Sequence, residues 1–169
     1  MQYNIHPIFV HFPIAFLLLY SVIVILPFSK WMPSVAWKDI RRILLLAGVA
    51  GALLANSTGE IAEEFVSGQH DLIEMHAFFA GASIFFYAVL LGSEFLPFVN
   101  QKIISRLNIL PITKLFSFLE KLLAKRSMMI LLSVLGLLAI SLTGLLGGVL
   151  VYGESADPLA PIVLKILGL

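Results

Sequence analysis

Four stretches of this chain run almost free of charge for long enough to cross a lipid bilayer, and no other feature constrains its fold as strongly. A hydrocarbon core of about 30 Å takes roughly 20 helical residues to span. No Asp, Glu, Lys or Arg precedes Lys30, which gives a first span over about residues 8–28. A second, about 43–59, lies between Arg42 and Glu60. A third, about 75–97, follows Glu74 and meets Glu94 near its end, and a fourth, about 127–152, lies between Arg126 and Glu154. Helices are expected, because an open sheet cannot satisfy its backbone groups in lipid and no period-2 alternation suggests a barrel. The N-terminus does not read as a secretory signal, since it has no basic leading region and Pro7 and Pro13 interrupt it.

Composition agrees. The chain has 169 residues, 60% of them hydrophobic and 12% charged, too few polar residues to clothe a water-facing domain. The expectation is one membrane domain over residues 1–169, an all-α integral membrane four-helix bundle. A formal net charge of +1 gives no support for nucleic-acid binding. Cysteine is absent, which excludes disulfides, iron–sulfur ligation and thiol chemistry. No nucleophile–base motif, phosphate loop or nucleotide fingerprint is present, so electron transfer or binding is expected ahead of catalysis.

The charges orient the bundle. Ten of the eleven basic residues fall in the connections between spans one and two and between spans three and four, with only Lys165 opposite. The positive-inside rule then predicts both connections in the cytoplasm and both termini extracytoplasmic, facing the periplasm of a bacterial inner (cytoplasmic) membrane. Between Asn100 and Arg126, the apolar residues Leu115, Phe118, Leu119, Leu122 and Leu123 recur at helical spacing among Lys114, Lys121 and Lys125. This predicts a cytoplasmic amphipathic helix over about 112–125, lying on the anionic leaflet, or else docking a partner subunit. Trp31 and Trp37 flank the other basic connection, as interfacial aromatics do. No repeat of a whole unit is evident.

With this topology, the start of span one, the end of span two, the start of span three and the end of span four meet on one side. All four histidines and seven of the ten acidic residues fall there. Pro7 suits a first helical turn, which puts His6 at or near the helix start, while His11 lies deeper and about 140° around an ideal helix. Pro13 deprives the Phe9 carbonyl of its helical donor and can kink the helix beside His11. His76 opens the apolar run from Ala77 to Leu91 and matches His11 in depth. His11 and His76 are therefore the expected pair of facing imidazoles, with His70 expected in solvent. Glu60, Glu63 and Glu64 crowd a helix C-terminus, where the macrodipole is already negative, so a compensating cation or proton is expected, with Glu60 nearest the bundle.

Small residues mark spans two and four. Ala47, Gly51 and Ala55 recur every four residues beside Gly48 and Ala52, and Gly144, Gly147 and Gly148 cluster in span four. Close helix packing is one meaning. Room for a flat macrocycle between spans one and three is the other.

Three motifs resemble those of the DUF2231 family of bacterial multi-pass membrane proteins. They are His6-Pro7 with Val10-His11-Phe12-Pro13-Ile14, Thr58-Gly59-Glu60-Ile61-Ala62-Glu63-Glu64 with a later His76, and Thr143-Gly144-Leu145-Leu146-Gly147-Gly148-Val149-Leu150-Val151-Tyr152. Many relatives carry a histidine where this sequence has Leu145. The family has no established activity; its association with cytochrome c and Rieske-type domains implies a redox setting.

Three functions follow as expectations. The first is a membrane redox protein binding b-type haem through His11 and His76, with the acids tuning potential or coupling protons and with a cytochrome or other respiratory subunit as partner. The second is a non-haem iron, copper or zinc site built from His6, His11, Glu60, Glu63 and His76. The third is a non-catalytic subunit of a membrane complex, single or oligomeric, in which the polar cluster only caps helices.

Overall fold

The computed structural model describes residues 6–63, 69–99 and 110–169. Among them are seven α-helices, one 3-10 turn and no strand. The long helices are α1 (His6–Ile25), α3 (Trp37–Glu63), α4 (His70–Val99) and α6 (Arg126–Tyr152). All four are long and apolar enough to cross a membrane, and their outward faces carry exposed Phe12, Leu46, Leu53, Phe78, Phe85 and Leu138. The chain is a multi-pass membrane protein on this ground. The shorter helices are α2 (Phe28–Trp31), α5 (Leu110–Leu123) and α7 (Ala160–Leu167).

The observed helices contain the second, third and fourth expected spans, whereas α1 covers the first only as far as Ile25, because the chain leaves the helix before Pro27 and Phe28 opens α2. The middle two helices run beyond their spans, because α3 includes the basic turn from Trp37 to Arg42 and α4 the polar turn from His70 to Glu74. Polar residues end a lipid-crossing stretch but do not end a helix. Three features escaped the sequence reading. Phe28 gathers Trp31 and Trp37 around it at ring-centroid distances of 5.3 and 5.2 Å, which folds α2 back on the start of α3. The 3-10 turn Glu154–Ala156 follows α6. Helix α7 then packs buried Ala160 and Leu164 against Leu146 and Val149 of α6. Its signals were present: Asp157 Oδ1 accepts the Leu159 N–H at 2.7 Å, Pro161 sits in the first turn, and Gly168 ends the helix in the left-handed region.

The bundle is two antiparallel pairs, α1 on α3 and α4 on α6, joined by lesser α3–α4 and α1–α6 contacts. Missing Cβ atoms set the first pair's register. A methyl group at position 48 would lie 2.4 Å from Leu17 Cδ2, and one at position 51 would lie 3.3 Å from Pro13 Cδ. Gly48 and Gly51 therefore serve close packing, and the ring of Pro13 is buried on α3 within an unbroken α1. In the second pair, Tyr87 lies on Gly136, whose added methyl would stand 2.9 Å from the ring. Leu17, Tyr20, Val24, Leu45, Val49, Tyr87, Leu90 and Ile140 form the shared core.

One end of the bundle holds the starts of α1 and α4 with their histidines. The other, basic end holds α2, the start of α3, α5 and the start of α6. Helix α5 presents Lys114, Leu115, Phe118 and Lys121 outward, while Leu119, Leu122 and Leu123 are half-buried.

Candidate functional site

At the histidine end, two imidazoles turn inward, one from each helix pair. His76 is half-buried, and its Nδ1 lies 3.0 Å from the backbone carbonyl oxygen of Thr143 on α6. A carbonyl only accepts, so Nδ1 carries the proton and Nε2 the lone pair. A methyl at position 147 would stand 3.1 Å from His76 Cε1, so Gly147 is where the ring rests on α6.

His6 repeats this arrangement on α3. Its Nδ1 lies 3.0 Å from Thr58 Oγ1, and that hydroxyl spends its one proton on the Ala55 carbonyl at 2.9 Å. With the hydroxyl proton so directed, Oγ1 accepts from His6 Nδ1–H beside the Ala55 backbone, which also bonds the ring, in the tautomer that puts the lone pair on Nε2. A methyl at position 59 would lie 3.3 Å from His6 Cε1. Each ring thus rests on a glycine and gives Nδ1–H to a threonine of its neighbouring helix. Repetition is present in this arrangement although no whole-unit sequence repeat is evident.

The other expected site residues are placed differently. His11 is exposed on α1, and its Nδ1–H bonds the Pro7 carbonyl one turn back on its own helix. The inward ring of α1 is thus His6, because Pro13 faces α3 and a residue seven positions earlier shares its side of the helix. Glu60 is exposed and takes a 3.4 Å hydrogen bond from Asn56 Nδ2. The Glu63 side chain and all of Glu64 lie outside the described residues. His70 is exposed at the start of α4 and pairs with Glu74 at 3.1 Å, one turn along. Among the described residues, no three His, Asp or Glu side chains gather as a metal-binding group.

Sequence reasoning missed Thr58 and Thr143 as the anchors of the two rings. The signal was a Thr-Gly pair late in each even-numbered span. No family model, curated protein or solved structure matches the chain.

Proposed function

We propose that this protein is a membrane redox protein that binds b-type haem at the histidine end, between α1 and α4, and carries electrons. His6 and His76 are its axial ligands in this reading, each through Nε2. The observation that carries it is the paired anchoring: two inward imidazoles on different helices, each with Nδ1–H bonded to a threonine. Metal-bound histidines characteristically donate their second nitrogen in this way, which fixes tautomer and ring orientation. Two imidazoles without a third donor among the described residues suit a cofactor that brings four equatorial nitrogens of its own. They suit a bare zinc, copper or iron ion less well, since such ions take three or four protein ligands. Haem supplies one-electron chemistry when bound; the protein supplies ligands, an apolar surround and position.

Orientation belongs to the same proposal. The basic end faces the cytoplasm of a bacterial inner membrane and the histidine end faces outward, as the distribution of Lys and Arg indicates. A cytochrome or another respiratory subunit would then exchange electrons at the outer face. The three motifs that resemble those of the DUF2231 family fit this setting.

The test is a haem and metal count on protein purified from native membranes in mild detergent. Pyridine haemochrome analysis is expected to give one b-type haem per chain, with iron to match. Stoichiometric copper, zinc or iron without haem would replace this reading with a non-haem site, and neither would leave a structural subunit.

A further inference from the structure

The basic half of the bundle interior holds more polar groups than its own hydrogen bonds consume. Tyr20, Ser21, Tyr87 and Ser133 are all fully buried. Ser21 Oγ and Tyr87 Oη satisfy each other at 2.8 Å, and the Tyr20 ring meets Tyr87 edge-on at 6.3 Å. The Tyr20 hydroxyl, the Ser133 hydroxyl and Arg41 Nε find no hydrogen-bond partner among the described residues. These groups share one region. Tyr87 rests on Gly136, one turn from Ser133 on the same face of α6, and the antiparallel α1–α3 register, with Leu17 at Gly48 and Pro13 at Gly51, sets Arg41 level with Val24, about one turn from Tyr20. Glu94 is paired with Arg42 at 3.0 Å and marks the mouth of this region at the basic end. Toward the histidine end, buried Leu17, Ala52 and Ile140 close the interior.

Buried polar groups without protein partners take water where the site is polar, and ionisable side chains within spans mark water-filled or proton-conducting routes. We infer that the basic half of the bundle is a hydrated access channel. It admits water, and with it protons, past the Arg42–Glu94 pair to Arg41, Tyr20 and Ser133, and ends at the Ser21–Tyr87 pair. The groups facing it are Tyr20 and Ser21 from α1, Arg41 and Arg42 from α3, Tyr87 and Glu94 from α4, and Ser133 from α6. Each proton hop between water and a hydroxyl oxygen breaks one O–H bond as it forms the next, so every hydroxyl is restored after passage and no oxidant or reductant is needed. The inference does not rest on haem binding.

The chain has no cysteine, so single cysteines report without background. Ser133→Cys, Ser21→Cys, Ser83→Cys and the lipid-facing control Leu135→Cys would be reconstituted in oriented phosphatidylethanolamine–phosphatidylglycerol vesicles. Each would be treated with a small charged methanethiosulfonate, which reacts only with hydrated thiolate. S133C is expected to react from the basic side at least tenfold faster than L135C, and S21C more slowly than S133C, while S83C stays protected. Raising pH from 7 to 8 on the basic side alone should speed S133C about eightfold, the rise in thiolate for a thiol of ordinary pKa. The same change on the other side should have no effect. S133C reacting no faster than L135C, or answering to pH on the histidine side, would overturn the channel. If S133C failed to fold, S21C would decide it by the same two readings.

Discussion

His76 gives its Nδ1 proton to the carbonyl oxygen of Thr143 at 3.0 Å, across the contact between α4 and α6. That bond fixes the tautomer, holds the ring over Gly147 and leaves Nε2 to face other chemistry. His6 does the same through Thr58, so the two helix pairs present matched imidazoles at one end of the bundle.

Gly147 is the position where this can be tested through packing. An added methyl would meet His76 Cε1 at 3.1 Å, whereas no described residue lies within 4 Å of one added at Gly144. G147V is expected to destabilise by about 1–3 kcal/mol through overpacking. G144A should be neutral or stabilising by up to about 1 kcal/mol, since alanine favours a helix. Thermal unfolding in detergent, followed by circular dichroism, distinguishes the two; equal losses would remove the special role of Gly147.

The α1–α3 contact makes a sharper prediction. A methyl at position 48 would stand 2.4 Å from Leu17 Cδ2, and Leu17 is fully buried. G48A should cost about 1–3 kcal/mol. Adding L17A makes room for that methyl, so the double variant should be more stable than the single costs sum to, with a coupling of about 0.5–3 kcal/mol. Additive losses would show that the two positions do not meet.

The Arg42–Glu94 pair is asymmetric, the arginine side chain 44% exposed and the glutamate 10%. Removing the arginine leaves a mostly buried carboxylate without its cation, solvated only by water at the channel mouth, while E94Q leaves an arginine that bulk solvent can reach. R42A should therefore destabilise more than E94Q, by on the order of 1 kcal/mol after solvent screening. Equal effects in chemical unfolding would argue that Glu94 is better hydrated than its burial suggests.

Sidedness is read from Ser34 and Ser155, both exposed at opposite ends of the bundle. With no native cysteine to interfere, S34C should label with an impermeant maleimide only after cells are opened, and S155C in intact spheroplasts. The reverse pattern would invert the topology and move the histidine end to the cytoplasm.

The four long helices were legible because lipid imposes a length and bars charge, and both are properties of sequence alone. Short α2 and α7 were not, because aromatic clustering on Phe28 and burial of Ala160 and Leu164 are tertiary effects with weak local signals. The gathering of histidines at one end also followed from topology. Which ring turns inward did not. Depth favoured His11, but the face of α1 that packs on α3 was decided by Pro13 and Leu17 meeting Gly51 and Gly48, and that face carries His6. Glycines in span two looked equally suited to a macrocycle or to close contact until the α1–α3 register showed what they touch. The anchor of the His76 ring was hidden for another reason: Thr143 acts through its backbone carbonyl, which carries no side-chain signature.

The most direct measurement of the account is the reduced-minus-oxidised absorption spectrum of the purified protein beside its histidine variants. The wild-type protein is expected to show a sharp reduced α band. H6A and H76A should each lose it, while H11A, whose ring is exposed and bonded within its own helix, should keep it. A band that survives H6A or H76A and disappears in H11A would contradict the assignment, and no band in protein prepared from native membranes would contradict the haem itself.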